Sequence, residues 1–549
     1  MQYIQGTNRN QAVLFNESLD QIISFDNEVR LIDLFAESII IEDFGFVQKL
    51  NTEGRPAYNP KDLLKLFIYG YLNSMRSSRV LEKECRRNIE VMWLMKQLVP
   101  DHNTISNFRR DNEKAIRKVF RYTVSIAKEF DLIGGKLIAG DSTKLRAQNS
   151  KKNNFNQKKI ERHLQYIDNK LAEYTDALRQ ADDDKDDVQQ ENQKIIEQQI
   201  SKHENRKEFY HALTDQLKQT GELQISLSDP DSRQMITRND IIEVAYNVQT
   251  TVDAKNKLII DYKVTNTNDN KAMGGMLRRA KTILKTNDIT ALYDKGYHAG
   301  SELKTACEMG IETLVAIPDK SSASMIPEPA YNVSEFIYDA VQHTYTCPQN
   351  QVLKTNGNWY KKDRNARGRK HTEPILMQRF KTTACNECPA LNNCTKNTGS
   401  RGRVIERSEY QNYVDQNKIN IQNNAGLYRK RQEIVEHPYG IIKRQWGFYY
   451  ITTKRGIKRA SADVGLMLIA FNLRRLFNII DKKELFRYLM KKLILLFAPL
   501  QTNLASIYRI IFFSTEIIFI KNHFNKLIKS HLISYRKPEL VFLKFNGGF

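Results

Sequence analysis

The spacing of apolar residues changes character several times along the chain, and each change predicts a different kind of element. From Met1 to about Phe130 it is helical. Leu63, Leu64, Phe67, Ile68 and Tyr71 recur at helical intervals behind Asn59-Pro60, an N-cap followed by a proline at the first helical position. A second set, Ile89, Met92, Trp93 and Leu98, is closed by Pro100, and Asp101 to Arg110 opens another helix with small polar residues ahead of Arg109 and Arg110. Such a start presents a helix N-terminus and two basic side chains to DNA, or is a capped structural helix with a solvated face.

Beyond Phe130 the apolar runs shorten to strand length. Leu137-Ile138-Ala139 halts at Gly140, which predicts that Asp141 stands where a strand gives way to a loop, the edge at which open α/β sheets bind ligands. From about Gln148 to Gln224 the chain is polar, with Leu164, Ile167, Leu171, Tyr174 and Leu178 at coiled-coil spacing, the acidic run Asp182 to Asp187, and helix-like sequence again from Val188 to Leu217. An antiparallel helical hairpin with a solvated acidic tip is the simplest account. Ile241–Val252 and Lys257–Val264 then read as a β-hairpin about a turn at Asp253, followed by a helix over Lys271–Lys285. Thr290–Tyr293 repeats the earlier design, an apolar strand ending in Asp294 with Gly296 close behind, and a helix over Ser301–Met309 leads to a strand stopped at Pro318. This order predicts an α/β fold with a mixed sheet.

Composition narrows the partner. Lys+Arg 85 against Asp+Glu 63 gives the 549-residue chain a net charge of +22, and a pI near 9.5 favours polyanions through phosphate neutralisation and counterion release. Nucleic acid is the leading candidate. The N-terminal MQYIQGTNRNQ has no basic start followed by an apolar core, and the apolar stretches Leu493–Tyr508 and Ile510–Ile520 are broken by polar residues and too short for a bilayer. A cytoplasmic protein with no membrane partner is expected. Cys347 and the run Cys385-x2-Cys388-x5-Cys394 supply four thiols in a segment poor in apolar residues. Zinc is the natural occupant of such a set in a reducing compartment, an iron–sulfur cluster and ordinary unligated thiols being the alternatives. Cys85 and Cys307 lie on helical segments and read as core residues.

Further on, Tyr428, Arg431, Glu436 and Lys443 fall in a helix-like stretch interrupted by Pro438 and Gly440, where a kink or restart is expected, and the basic loop Lys454, Arg455, Lys458 and Arg459 follows. With GRPAYNPKDLLKLFIYGYLNSMRSSRVLEKE, SLSDPDSRQM, AYNVQTTVDAKNKLIIDYKVTN, YDKGYHAG and IVEHPYGIIKRQWG, these residues make roughly Gly54 to Ile480 resemble bacterial insertion-sequence transposases of the DDE type, in the IS-eleven-eighty-two branch. The resemblance implies an InsH-like all-α N-terminal DNA-binding domain at 1–130 and an RNase H-like mixed-sheet core at 131–318 carrying the helical insertion 148–224. It further implies a Cys-rich insertion at 319–403, the rest of the core at 404–480, and a basic, apolar tail at 481–549 that the resemblance does not reach. Asp141, Asp294 and Glu436 then correspond to the catalytic carboxylates, with Tyr428, Arg431 and Lys443 as companions on the DNA. The family pattern Y-x2-R-x3-E-x6-K is matched here with one extra residue between Arg431 and Glu436.

The chemistry implied is divalent-metal-dependent DNA cleavage and strand transfer. Three carboxylates converging at a sheet edge hold two Mg²⁺ (or Mn²⁺) ions about 3.5–4 Å apart, one activating the attacking oxygen and one stabilising the leaving oxygen. The expected partners are terminal inverted repeats and target DNA, with the chain a homo-oligomer when bound, and the setting a bacterial nucleoid. Two rivals remain: a DNA-binding or regulatory descendant that has lost activity, and a metal-dependent nuclease without strand transfer.

Overall fold

The computed structural model describes residues 18–47, 56–181, 187–237, 240–318, 326–362, 374–396, 402–453 and 455–511. Two compact units divide the chain, Met1–Leu485 and Phe486–Phe549. In the second, the described residues are helical to Ile511. No helix among the described residues is long and apolar enough to cross a membrane.

The N-terminal helices form as their caps and spacing predict. Asn59 caps α1 (Pro60–Leu72) by accepting from the Lys61 amide at 2.9 Å, and Asp101 caps the helix His102–Asp111 through the Asn103 and Thr104 amides. Every residue from Leu63 to Leu72 in α1 is buried, so this is the central rod of the bundle, covered on all sides. Its Lys65 is fully buried and is held at 2.7 Å by Asp33, with Glu37 also in contact. Burial of such an ammonium is tolerable only with that pairing. Helix α2 (Glu113–Glu129) closes the bundle with Ile116, Val119, Phe120 and Val124 on one face.

The mixed sheet begins with β1 (Leu137–Arg146) and adds β2 (Arg233–Ile236), β3 (Ile242–Asp253), β4 (Ile259–Thr265), β5 (Thr290–Tyr293) and β6 (Glu312–Val315). β3 runs antiparallel to β1, placing Thr250 opposite Asp141, and its other edge is shared by β2 and β4. On the far side of β1, β5 and β6 are parallel to it and to each other. This is the RNase H-like arrangement. Between β1 and β2 the helices Gln157–Ala181 and Asp187–Thr220 form the expected hairpin, with Ile160 and Ile167 packed on Tyr210, Leu213 and Leu217, and Leu164 and Leu171 alongside. Residues 182–186 of its acidic tip lie outside the described residues.

One expectation about β1 is corrected. The strand does not stop at Gly140 but continues to Arg146, because β3 carries the ladder forward antiparallel after the parallel pairing with β5 ends at Ala139 and Leu292. Gly140 is needed for a different reason: a Cβ there would lie 2.0 Å from the Tyr293 ring, which crosses the strand at that point. Asp253, expected at a turn, is instead the last residue of β3, fully buried, and accepts from the Gly134, Gly135 and Lys255 amides at 3.0, 2.8 and 3.0 Å.

The Cys-rich insertion also has more of its own core than its composition suggests. Six antiparallel strands, from Ile337–Asp339 to Ile405–Ser408, enclose Phe336, Tyr345, Leu353, Phe380 and Ile405. At most one of these core side chains falls in any strand, too sparse a signal to register as periodicity. The last strand also lies beyond the boundary expected at 403.

After the insertion come α3 (Ala425–Tyr439) and α4 (Ile457–Ile479). Helix α4 is buried without a break from Ala460 to Leu473 and packs against α1, α2 and β4. Close approach is possible because Gly465 has no Cβ; one there would lie 2.5 Å from the Tyr262 hydroxyl and 2.7 Å from Ile116. The N-terminal helices are therefore joined to the sheet through a shared helix, and no break in packing falls at residue 130. At the join, the buried Asp463 carboxylate accepts from Arg76 at 2.9 Å, from the Thr452 amide at 2.7 Å and from the Tyr71 hydroxyl, with Arg109 at 3.5 Å. Burial alone would push this carboxyl up, but Arg76 and Arg109 hold it below the usual carboxylate range.

Removing that charge leaves two buried guanidinium groups without their counterion. Asp463→Asn is expected to lower unfolding free energy by about 3 kcal/mol or more in denaturant melts of the full chain. Asp288→Asn, in the exposed pair with Lys136 at 3.8 Å, is expected to change it by less than about 0.5 kcal/mol.

Candidate functional site

The parallel strands β1 and β5 set the position of two of the expected carboxylates. Asp141 lies just past the last β1–β5 pair, and Asp294 directly follows Tyr293, the last residue of β5. Each aspartate commits one oxygen to its own backbone. Asp141 Oδ1 accepts from the Ser142 amide at 2.7 Å, and Asp294 Oδ1 accepts from the Gly296 amide at 2.9 Å. Gly296 thus serves the carboxylate by close approach, since a Cβ there would lie 3.1 Å from that oxygen. The two Oδ2 atoms face a common cation, the Arg431 guanidinium of α3, at 3.9 Å from Asp141 and 3.4 Å from Asp294. Burial pushes the Asp141 carboxyl up to about 6 despite Arg431, with the negative charges of Asp294 and Asp269 adding to the rise.

A third carboxylate near this pair, Asp269, was not anticipated. It accepts from Asn247 at 2.7 Å, Gln249 at 2.6 Å and Lys144 at 2.9 Å. Its burial is outweighed by the Asn247 hydrogen bond and the Lys144 ion pair, so it stays below the usual carboxylate range. A sequence signal for this network exists in β3. Asn247, Gln249, Thr251 and Asp253 alternate with neighbours in a strand where all four are buried, a polar stripe that an ordinary core strand would not carry.

Helix α3 brings its companions to the same edge. The Tyr428 hydroxyl donates to the Tyr293 carbonyl at 3.1 Å, Val435 is buried, and the Tyr439 hydroxyl pairs with Thr250 at 2.6 Å and lies 3.4 Å from the Asp141 carbonyl. Tyr428, Arg431, Val435 and Tyr439 thus make up the sheet-facing side, at intervals of three and four. Glu436 is off this side. It is exposed, and its carboxylate accepts from Gln432 at 2.9 Å. The extra residue between Arg431 and Glu436 explains the placement: a gap of three would put the acid at the position occupied by Val435. The helix runs through Pro438 and then widens into a π-helical turn, Gly440–Gln445, closed by the Trp446 amide on the Ile441 carbonyl at 3.0 Å. Widening shifts the phase, and Lys443 reaches the Lys144 carbonyl of β1 at 3.4 Å although Glu436 does not face the sheet. Among the described residues no three His, Cys, Asp or Glu side chains are grouped closely enough to hold a metal. The structure therefore brings together Asp141, Asp294, Arg431 and Tyr428, and leaves Glu436 on the flank of the same helix.

The expected DNA contacts separate in a similar way. Arg109 is corrected: it is 4% exposed and donates to the Tyr71 hydroxyl at 3.0 Å and the Arg76 carbonyl at 3.1 Å, so it belongs to the Asp463 cluster and presents nothing to DNA. Arg110 is partly exposed and paired with Asp111. Arg455, Lys458 and Arg459 are exposed, with the latter two in the first turn of α4 rather than in a loop, and Lys454 lies outside the described residues. The DPDSRQM segment fixes this start: Asp229 accepts from the Gly456 amide and Asp231 from the Ile457 amide, each at 2.8 Å. In the insertion, Cys347, Cys385, Cys388 and Cys394 line one small cavity with Arg403, all four unpaired by disulfides. The Cys347 sulfur accepts from the Gln351 amide at 3.3 Å.

Residues 17–111 match the family described as Transposase domain (DUF772), and residues 346–477 match Transposase DDE domain. Both matched descriptions are of transposase domains, and together they cover less than half of the chain. The second match contains Tyr428, Arg431, Glu436 and Lys443, while Asp141 and Asp294 lie in the stretch between the two matches. A solved structure, the cryo-EM structure of piggyBac transposase synaptic complex with hairpin DNA, is similar at 9% identity over 94% of this chain and 87% of that one, with a TM-score of 0.31, a likeness that carries no argument. No curated protein matches.

A raised carboxyl binds its proton more readily in the fold than in the unfolded chain, so the stability it confers is complete at low pH and is lost as pH rises to about 6. Asn mimics the protonated form. Asp141→Asn is therefore expected to match the parent at pH 4 and to exceed it at pH 8 by the order of 1–3 kcal/mol, in melts with chelator present; equal stabilities at pH 8 would refute the assignment.

Proposed function

We propose that this transposase binds the terminal inverted repeats of a bacterial insertion sequence and catalyses divalent-metal-dependent cleavage and strand transfer, acting as a homo-oligomer on double-stranded DNA. The observation that carries the reading is the convergence of Asp141 and Asp294 just past the last pair of the parallel strands β1 and β5, with an uncommitted Oδ2 on each aimed at one cation-filled space. Hard carboxylate oxygens at a sheet edge suit Mg²⁺ or Mn²⁺. When bound, such ions activate the attacking oxygen and offset charge on the leaving one. The chain's own residues hold and orient. Tyr428 and Tyr439 fasten α3 across the strand ends, Lys443 supplies positive charge beside β1, and exposed Arg455, Lys458 and Arg459 suit contacts to phosphate. Glu436 is the proposed third ligand, reached from the flank of α3.

That flank position also favours the rival reading, a DNA-binding descendant without activity, and the same experiment decides. Asp141→Asn, Asp294→Asn and Glu436→Gln are each expected to retain binding to terminal-repeat DNA while cleavage in Mg²⁺ falls by at least about a thousandfold; Asp288→Asn should cleave normally. Joined products would separate transposition from simple nuclease action. Parent protein that binds the repeats but never cuts them would establish the binding reading, and full cleavage by all three variants would end the carboxylate assignment.

The insertion is proposed to hold structural Zn²⁺ through Cys347, Cys385, Cys388 and Cys394, which line one cavity without being grouped at ligand distances, so that binding would draw the thiols together. Burial pushes the Cys394 thiol up, a cost that a soft cation would remove by taking the thiolate. Protein purified without chelator is expected to carry about one zinc per chain by elemental analysis, and Cys385→Ser with Cys388→Ser should abolish it. A metal-free, fully folded insertion would overturn the proposal.

A further inference from the structure

Arg431 meets its carboxylates by charge alone, unlike the arginines at the buried Asp261 and Asp463, which also hydrogen-bond there; even Arg109, 3.5 Å from Asp463, donates to the Tyr71 hydroxyl and the Arg76 carbonyl. Arg121 and Arg279 hold Asp261 at 2.8 and 2.7 Å, and Arg76 holds Asp463 at 2.9 Å. These are the lengths of charge-assisted hydrogen bonds, about 2.7–2.9 Å. Arg431 stands 3.4 and 3.9 Å from its two carboxylates, and its Nε is buried with no partner. Its side chain is only 14% exposed. A guanidinium in such a place is retained by charge, with hydrogen-bonding capacity unspent.

The two aspartates need a cation there. Their Oδ2 atoms converge, and two negative charges brought together in a partly buried site repel unless a positive charge lies between them. Arg431 meets that need from α3, whose position is fixed independently by Tyr428 on the Tyr293 carbonyl and Tyr439 on Thr250. A divalent ion bound by the same oxygens would therefore meet a guanidinium already in its place. A DNA phosphate offers that guanidinium two well-directed oxygen acceptors, which the aspartates do not.

We infer that Arg431 is a resident counter-cation of the acidic pair, exchanged for a divalent metal when a DNA phosphate draws the guanidinium away, so that DNA binding gates metal loading. This rests on the reading of Asp141 and Asp294 as metal ligands. Before DNA arrives the guanidinium offsets one of the pair's two negative charges and occupies the space between them, and metal binding is weak; with DNA in place the guanidinium pairs with phosphate and the carboxylates are released. Metal loading thereby follows substrate, which keeps an activating ion out of the site while no phosphodiester is present.

The test measures Mn²⁺ binding to the full chain by electron paramagnetic resonance, with and without a duplex oligonucleotide, so that no activity is needed. Without DNA, Arg431→Gln is expected to bind Mn²⁺ at least about tenfold more tightly than the parent, because the competing cation is gone. Duplex DNA should tighten binding to the parent by a similar factor and to Arg431→Gln by much less. Arg431→Lys keeps a charge but not the planar fork, and should fall between the two; it serves in place of the glutamine variant should that one not fold. Affinity that is unchanged or weaker in both variants would overturn the inference while leaving the ligand assignment standing. A gain in Arg431→Gln that survives Asp141→Asn would place the metal elsewhere and overturn both.

Discussion

Asp463 is the charge on which the assembly of the larger unit turns. It projects from α4, a helix with no solvent-facing side over most of its length, and it gathers Arg76, Arg109, Tyr71 and the Thr452 amide around one buried carboxylate. Arg109 comes from the helix His102–Asp111, Arg76 from the connection that follows α1, and the amide from the chain just before α4, so the cluster ties the bundle to the helix that backs the sheet. Arg76 also lies over the Phe448 ring at 4.5 Å and donates to the Tyr450 carbonyl. Buried ion clusters of this kind contribute less to net stability than their number of contacts suggests, but they tolerate one arrangement only, since any slip leaves a charge unpaired. A unique seating of the bundle on α4 is what such a cluster secures.

The same rule governs the acidic site with the opposite outcome. There the geometry leaves charge only loosely compensated: Asp141 is pushed up to about 6, while the neighbouring Asp269, hydrogen-bonded by Asn247 and Gln249 and paired with Lys144, is held below the usual carboxylate range. Firm pairing at one carboxylate beside loose pairing at its neighbours is the pattern expected where a site must accept a further ligand. Asn247 and Gln249 of β3 supply the firm pairing.

Two such anchors, far apart in sequence, are brought to bear on α4 and the sheet edge. The DPDSRQM segment caps the α4 N-terminus through Asp229 and Asp231, and Asp253 gathers the Gly134, Gly135 and Lys255 amides below β1. Both are carboxylates used as acceptors for otherwise orphaned backbone donors, a structural use that keeps them distinct from the pair at the strand ends.

Local physical chemistry made much of this readable along the chain. Helix caps at Asn59 and Asp101, the hairpin seam at Leu164, Ile167 and Leu171, and the strand-then-carboxylate pattern at Asp294 depend on neighbours within a few residues, and all are present in the structure. Motifs likewise carried the resemblance to transposases, because IVEHPYGIIKRQWG and GRPAYNPKDLL are contiguous. What the tertiary structure decided were matters of partner and phase. Arg109 read as a surface arginine until Asp463, 354 residues away, took it into the core. Gly140 read as a strand end until the Tyr293 ring required the missing Cβ. Glu436 read as facing the aspartates, yet one added residue and a π-helical turn decide which side chains of α3 meet the sheet, and Arg431 is the one that does. A sequence specifies spacing directly, whereas the rotation of a helix about its axis and the counterion of a buried charge follow only from what packs against them.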